Sequence, residues 1–314
     1  MKNLKGSLIL LMAALIWGTA FVAQTSAANS VQTFTMNASR SLVGALFLLI
    51  VIAIRDMVKR ARGKTGDNDL KQDKLSEKTS WPVMGGICCG CMLFCAMGFQ
   101  QAGIGAYPEG IAIAGRSGFL TATYVVMVAI FVQLRGKKLH PFVLMSIVGT
   151  IFGLYLLCMS GGFSHLYFGD LLEILCAVCF TGHILVADHF RKVDSIKLSC
   201  LQFLTCGILS GAVCLFTESV SVSALLDAAV PILYAGIMSS GVAYTLQLVG
   251  QKFAEPAVAS IVMSLESVFA ALAGWVILHE RMQTRELIGC ILVFAAVILA
   301  QIPEFLTKKS DETE

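Results

Sequence analysis

The chain has 314 residues, of which 57% are hydrophobic and 14% charged, and its formal net charge is +3. Because a soluble domain carries about 25% charged residues, this composition excludes an ordinary soluble protein and predicts an all-α membrane protein. The eleven cysteines lie in apolar runs, where they act as small hydrophobic residues. The cluster Cys88, Cys89 and Cys91 has no His or carboxylate close in sequence, so neither a metal nor a cofactor is predicted.

Ten apolar segments follow one another along the chain, and each is long enough to cross a hydrocarbon core of about 30 Å as a helix. The first is interpreted as a retained span, since it is about as long as the others. All six prolines lie near segment ends, where the missing N–H does least harm to a helix. The segments are 7–27, 32–54, 82–103, 107–131, 140–159, 168–190, 198–216, 229–250, 256–278 and 284–302.

The distribution of basic residues predicts the orientation in the membrane. With the N-terminus in the cytoplasm, nineteen of the 23 Lys and Arg residues fall inside and only two outside, a strong positive-inside bias. Both termini are therefore predicted to be cytoplasmic, in a multi-pass protein of the cell membrane. The loop 55–80 is nearly balanced in charge, with eight basic and five acidic residues, so it is interpreted as a cytoplasmic linker and no nucleic acid is expected as a partner.

The two halves of the chain resemble each other. Residues 13–21, AALIWGTAF, share small-residue spacing and an aromatic position with residues 176–184, CAVCFTGHI. Each stretch begins a set of five spans, and because five is odd, the second set must cross the membrane upside down. The fold predicted is ten transmembrane helices in two inverted five-helix repeats, 1–160 and 161–303, followed by a cytoplasmic tail, 304–314.

Three ionisable residues are predicted to lie near the middle of the membrane. Glu266 follows Pro256 by ten positions, about 15 Å along a helix. Arg40 and Arg116 each lie about nine residues into spans that enter from the opposite side. A charge at this depth costs about 2.5–3.5 kcal/mol on insertion scales, so these side chains must find partners or line water.

Several spans carry one moderately polar face each, and together these faces predict an enclosed polar cavity for a substrate and a coupling ion. Aromatic residues in this set could contact the apolar part of a substrate. The candidate cavity residues are Trp17, Gln24, Asn37, Arg40, Arg116, Tyr124, His183 and Glu266.

Each candidate also has a purely structural interpretation. Arg116 and Glu266 could form a structural ion pair or a gate instead of binding substrate. Arg40 and Asn37 could serve packing against a neighbouring helix, His183 could be a hydrogen-bonded core histidine, and Trp17 could be a packing residue. The motifs Gly149-x3-Gly153 and Gly207-x3-Gly211 allow close helix approach within the chain or at a homodimer seam.

An intramembrane enzyme is a further alternative, because His183 and Asp188 match the His-x4-Asp spacing of some acyltransferases. The partner motif Pro108-Glu109-Gly110 falls on the opposite side of the membrane in the predicted topology, and no HExxH, GxSxG or Walker A pattern occurs. The chain is therefore not expected to be an enzyme.

Three motifs resemble the EamA-type members of the drug/metabolite transporter superfamily, which have ten spans. Trp17-Gly18 is similar to that family's first-span signature, 114–128 to its fourth span, and 264–281 to its ninth. The resemblance implies a carrier for small metabolites, with known members exporting amino acids or moving nucleotide sugars.

We therefore expect a secondary transporter, working as an exporter by alternating access, for a small polar or amphipathic metabolite such as an amino acid. Arg40 and Arg116 would attract an anionic group, and Glu266 would bind a cationic group or a coupling proton. The alternative is a non-transporting sensor or assembly component with a transporter fold.

Overall fold

The fold was analysed in a computed structural model, which describes residues 2–28, 30–63, 81–108, 113–159, 166–277 and 283–311. Most of the predicted linker, 64–80, lies outside the described residues, as do the junction between the two predicted repeats, at 160/161, and the turn His279-Glu280 of the ninth-span motif. The predicted tail is described as far as Asp311 and continues the last helix to that residue.

Ten helical spans long and apolar enough to cross a membrane occur in the described part of the chain, so the predicted all-α membrane fold is confirmed. A short helix, Val222–Asp227, precedes span eight. In chain order, spans one to ten are Lys2–Ala28, Thr33–Gly63, Val83–Gly105, Ile113–Ala122 with Tyr124–Leu134, Pro141–Cys158, Phe168–His189, Ser195–Thr217, Ala229–Gly250, Pro256–Met263 with Leu265–Ile277, and Thr284–Asp311.

Spans four and nine are each interrupted at one residue. At Thr123 in span four the hydroxyl donates to the carbonyl of Leu120 at 2.5 Å, and at Ser264 in span nine it donates to Ile261 at 2.7 Å. Both residues keep helical backbone angles, with ψ near −13° and −14°, so each interruption is a tightened turn that joins two shorter helices.

Span eight contains a π-helical stretch, Ala235–Ala243, between two short α-helices, Ala229–Tyr234 and Tyr244–Gly250. A π-helix closes its hydrogen bonds between residues five apart. Side chains separated by five positions therefore point the same way in this stretch, whereas in an α-helix they would diverge.

The packing of the spans follows a paired pattern. Span two packs on span seven, span four on span nine, and span five on span ten. The remaining large contacts also match. Span one packs on spans eight and nine, and span six packs in the same way on spans three and four. The neighbours of a span in the first half thus correspond to the neighbours of the span five positions later.

Glycines mark the closest helix crossings. A Cβ atom on Gly153 would lie 2.9 Å from the carbonyl oxygen of Gly289, where spans five and ten cross. A Cβ on Gly207 would lie 2.9 Å from Leu42 of span two. Two glycines of the predicted Gly-x3-Gly motifs are therefore used for packing within the chain.

Gly18 has the same role between spans one and nine. A Cβ atom there would lie 2.5 Å from Cβ of Phe269 and 2.8 Å from the amide nitrogen of Ala270. Only glycine allows this approach without a shift of backbone, which explains why a glycine follows Trp17.

Polar residues lie inside the bundle and large apolar residues outside it. Asn37, Glu173 and Gln202 are fully buried, whereas Leu215 is 80% and Phe216 91% exposed. This reversal of the usual surface composition is expected where lipid surrounds the protein.

Candidate functional site

Spans one, two, three, four, six, eight and nine enclose a cavity, called here the central cavity. It comprises about 540 Å³ of space not filled by atoms, including some open to solvent. The predicted site residues that line it are Trp17, Gln24, Arg40, Tyr124 and Glu266. The cavity is also lined by Gln100, Thr121, Ser239, Tyr244 and Gln247.

Arg40 forms the positive end of the central cavity. It is 3% exposed, and its guanidinium Nη1 donates to Oε1 of Gln24 at 2.6 Å. No Asp or Glu of the described residues lies within 4.0 Å of it, and its Nε has no hydrogen-bond partner. A buried guanidinium without a carboxylate is expensive, so this group is suited to receive an anionic part of a ligand.

Glu266 forms the acidic end of the same cavity. It is 8% exposed, and its carboxyl group interacts electrostatically with the hydroxyl of Tyr124. No Lys, Arg or His in the described part of the chain lies within 4.0 Å of it. Glu266 is therefore able to accept hydrogen bonds from a cationic ligand group or to take up a proton.

Aromatic rings line the same cavity. The ring of Trp17 meets that of Tyr244 edge to face, with centroids 4.8 Å apart, and Tyr244 interacts electrostatically with both Arg40 and Glu266. The cavity thus combines a positive group, an acidic group and an aromatic surface. Binding sites for small amphipathic molecules have this composition.

The local sequence explains how two of these side chains reach the cavity. Tyr124 directly follows the interruption at Thr123, and Glu266 lies two residues after the one at Ser264. Both therefore belong to the first turn of a helix that starts inside the membrane. Discontinuous helices with this placement commonly line transporter binding sites.

Three predicted site residues lie outside the cavity wall. Asn37 is fully buried and donates from Nδ2 to the carbonyl of Met97 at 3.0 Å. His183 is fully buried, and its Nε2 lies 3.1 Å from Oε1 of Gln202. The His183 ring also packs edge to face on Tyr244, with centroids 5.9 Å apart, so it contacts a residue that lines the cavity.

Arg116, the third, forms a bidentate ion pair with Asp170 of span six. Its Nε and Nη2 each donate to one carboxylate oxygen at 2.6 Å, and its guanidinium lies 4.9 Å from the ring of Tyr167. Asp170 also accepts from the hydroxyl of Tyr107 and the amide of Tyr167. Arg116 therefore pairs with Asp170 and not with Glu266, the partner that the sequence allowed.

Several residues in and near the cavity were missed by sequence reasoning. Ser239 and Tyr244 both face the cavity although they are five residues apart, because the π-helical stretch aligns them. Asp170 gave only a weak signal, since it lies near the start of a span, where acidic residues are common. Glu173 lay on a polar face noted in the sequence, but its partners on span four could not be inferred from span six alone.

A second depression lies between residues 30–32, the start of span two and the ends of spans three and seven, and comprises about 1090 Å³ of space not filled by atoms, including some open to solvent. Gln101 lines it, next to Gln100 of the central cavity. Glu218, at the end of span seven, also lines it and accepts hydrogen bonds from the amides of Phe34 and Thr35 at 2.7 Å each. This carboxylate caps the start of span two.

At the opposite end of spans two and seven, Arg55 and Asp194 form an ion pair at 2.7 Å. Burial raises the pKa of the Asp194 carboxyl, but hydrogen bonds from the amides of Lys197 and Ile196, together with Arg55, outweigh it and hold the pKa below its ordinary value. The described residues contain no group of three or more His, Cys, Asp or Glu side chains arranged to hold a metal ion.

Ten packed spans around a polar, aromatic-lined cavity define a polytopic membrane protein of the transporter class. Comparison with known proteins agrees with this assignment. The chain belongs to the EamA-like transporter family, whose profile matches residues 4–159 and again residues 167–301. The protein is therefore a multi-pass membrane transporter of a small molecule and not an enzyme.

Two individual relatives are also named as transporters. An uncharacterized transporter of Archaeoglobus fulgidus is 26% identical over 310 residues, which cover 96% of this chain and 87% of that protein. The uncharacterized transporter YoaV of Bacillus subtilis is 20% identical over 295 residues, covering 91% and 92%. A solved crystal structure superposes with a TM-score of 0.73 at 20% identity, covering 95% of this chain and 98% of that one, and shares its fold.

Proposed function

We propose that the protein is a secondary exporter of an amphipathic zwitterionic metabolite, such as an amino acid with an apolar side chain. One observation carries this proposal: Arg40 and Glu266 face the same cavity, and neither has an ion-pair partner among the described residues. A ligand with a carboxylate and an ammonium group would supply both missing charges at once. Its apolar part would contact the rings of Trp17 and Tyr244.

In this proposal the two halves, 1–160 and 161–303, are inverted repeats that move against each other by alternating access. The matching neighbour pattern of equivalent spans supports the repeats, and the family profile fits each half separately. The positive-inside bias supports a location in the cell membrane with both termini in the cytoplasm. A proton or another ion gradient drives transport, and export is the direction that the family resemblance implies.

Three compounds with one apolar body test the charge requirement. Phenylalanine carries both charges, phenylalaninamide lacks the carboxylate, and 3-phenylpropionate lacks the ammonium group. A ligand that binds the folded state raises the melting temperature by an amount that grows with the logarithm of its concentration relative to its Kd. We expect phenylalanine to raise the melting temperature of the purified protein most, and each analogue to do so much less at equal concentration.

Equal stabilisation by all three compounds, or by none, would contradict zwitterion recognition. Flux of labelled phenylalanine into liposomes that contain the protein then distinguishes a transporter of this compound from a protein that only binds it. Liposomes without protein give the background.

A further inference from the structure

Glu173 of span six is a second buried carboxyl group, and the proposed substrate contacts leave it unused. It is fully buried, and both of its carboxyl oxygens accept hydrogen bonds. The hydroxyl of Ser117 donates to Oε1 at 2.6 Å, and the hydroxyl of Thr121 donates to Oε2 at 2.8 Å. Both partners lie on span four, so this cluster joins spans four and six.

The two acidic residues of span six have different kinds of partners. Asp170 accepts from the hydroxyl of Tyr107, but it is also held by the guanidinium of Arg116 and by a backbone amide, which can only donate and therefore stabilise an ionised carboxylate. Glu173 is held by two hydroxyl groups, and a hydroxyl can either donate or accept. The Glu173 cluster can therefore satisfy the ionised and the protonated carboxyl without moving heavy atoms.

Charge balance in this cluster also favours a Glu173 carboxyl that can be protonated. Arg116 and Asp170 neutralise each other through two hydrogen bonds of 2.6 Å. Glu173 has no Lys, Arg or His within 4.0 Å in the described part of the chain, so its ionised form leaves a net negative charge in the interior. Such a charge is costly, and binding one proton removes it.

The groups around Glu173 come from every neighbouring element. The nearest part of span three is Gly103, whose own Cβ would lie 2.9 Å from Oε1 of Glu173, and the inner helix of span nine, Pro256–Met263, carries no titratable side chain. Among the described residues, the titratable groups that interact with it are Asp170 and Cys176 on its own helix and Tyr107 after span three. Arg116 on span four pairs with Asp170. Beyond Cys176, Glu266 on span nine interacts with that thiol and with Tyr124 on span four.

Thr121 connects this buried carboxyl with the central cavity. It lines the cavity wall while donating to Glu173, and it accepts a hydrogen bond from Nε2 of Gln100 at 3.4 Å. A proton can therefore pass between cavity water and Glu173 with the movement of a single hydroxyl-bearing side chain. No similar contact links Asp170 to the cavity among the described residues.

We propose that Glu173 is the proton-binding site that couples transport to a proton gradient, while Glu266 remains free to bind the ammonium group of the substrate. Glu173 takes up a proton through Thr121 in one state of the cycle and releases it in the other. The inference rests on the proposed transport function for its role in the cycle. Its chemical basis, a titrating carboxyl at Glu173, is testable without any substrate.

The first experiment measures protonation directly. Infrared difference spectra of the purified, substrate-free protein between acidic and neutral pH report the carbonyl stretch of protonated carboxyl groups. Because the exposed carboxyl groups among the chain's 20 Asp and Glu residues also titrate in acid, the signal of interest is the component of the difference spectrum that depends on Glu173. We expect Glu173→Gln to lack one protonated-carboxyl band that the wild type and the matched variant Glu266→Gln both show. A difference spectrum that Glu173→Gln leaves unchanged would overturn the proton site.

The second experiment measures coupling in liposomes with labelled phenylalanine. A gradient of about one pH unit is worth about 1.4 kcal/mol per proton, which supports about tenfold accumulation of a zwitterion. We expect accumulation under one sign of the gradient in the wild type, and simple equilibration in Glu173→Gln. Exchange of labelled for unlabelled phenylalanine, which needs no net proton movement, should change by less than about twofold, since Gln preserves the size of the side chain.

The outcomes separate the two proposals. Retained accumulation in Glu173→Gln would overturn the coupling role, and so would loss of exchange in a variant that keeps its melting temperature. Thr121→Val should slow proton-driven uptake whereas Thr121→Ser should not, because only serine keeps the hydroxyl. If the wild type moves no phenylalanine, the zwitterion proposal fails and the infrared result alone decides whether Glu173 binds protons.

Discussion

Arg116 and Arg40 are both buried arginines in membrane spans, yet their surroundings differ. Arg116 has its charge neutralised by two hydrogen bonds to Asp170 and is covered by the ring of Tyr167. Arg40 has one neutral partner, Gln24, and faces a cavity. Depth in the membrane is therefore a poor guide to function, whereas an unmatched charge beside a cavity is a good one.

Arg116→Met should have the strongest effect of all the variants, and it should lower the stability of the protein. Arg116→Met leaves Asp170 buried without its cation, and breaking a buried pair in this way costs about 3–5 kcal/mol. We expect a clearly lower melting temperature in detergent and less folded protein in the membrane. The double variant Arg116→Met with Asp170→Leu removes both charges and should recover most of the loss. A single variant as stable as the wild type would contradict the structural role.

At Arg40 we expect a large effect on ligand binding and little effect on stability. Arg40→Gln should change the melting temperature little, since no described carboxylate depends on this cation, but weaken phenylalanine binding by about 2 kcal/mol, or about thirtyfold. Calorimetric titration of the purified protein measures this affinity. Arg40→Lys keeps the charge and should recover part of the affinity. Loss of folding as severe as that of Arg116→Met would remove the distinction between the two arginines.

Two tyrosines differ in the same way. Tyr124→Phe removes the hydroxyl that interacts electrostatically with Glu266, and Tyr107→Phe removes the one that donates to Asp170 at 3.0 Å. A polar contact of this kind contributes about 1 kcal/mol, but to binding in the first case and to stability in the second. Tyr124→Phe should weaken ligand binding about fivefold, whereas Tyr107→Phe should lower stability with unchanged affinity. Equal effects of the two variants on binding would contradict this division.

The smallest effect is expected for the ion pair at the membrane edge, between Arg55 and Asp194, whose side chains are 25% and 24% exposed. Asp194→Asn keeps a helix-capping oxygen and should cost less than about 1 kcal/mol. The pKa of Asp194 is lowered on folding, so its stabilisation is present above the unfolded pKa of about 3.9 and is lost as the pH falls through the folded value.

Melting temperatures of the wild type and Asp194→Asn should therefore differ at neutral pH and converge below about pH 4. Arg55→Gln provides the matched control, since it breaks the same pair from the other side. A difference that persists unchanged in acid would contradict a contribution from the charge of Asp194.

The spans were predictable because their signal is local. Long apolar segments and terminal prolines identified ten spans, and the structure has ten in its described residues. Helical rise also predicted a similar depth for Arg40, Arg116 and Glu266, and two of them, Arg40 and Glu266, line the cavity. The fine structure of span eight was not predictable, because a π-helical stretch such as Ala235–Ala243 has no clear sequence signature.

Partners across helices were the least predictable part. Arg116 could have paired with any acidic residue at similar depth, and the sequence analysis considered Glu266, whereas the structure pairs it with Asp170. Which one it meets depends on the rotation of span six against span four, which hydrophobic periodicity fixes only coarsely. For the same reason Asn37 and His183, which lie on polar faces, bond to neighbouring helices instead of the cavity.

The interruptions at Thr123 and Ser264 divide the packed pair of spans four and nine into two blocks. Ile113–Ala122 packs against Leu265–Ile277, and Tyr124–Leu134 packs against Pro256–Met263. Within these two spans, the blocks are joined through Thr123 and Ser264. Bending at these two joints would let one block swing while the other stays closed, so a single ligand chamber could be exposed to each side in turn at the cost of two flexible turns.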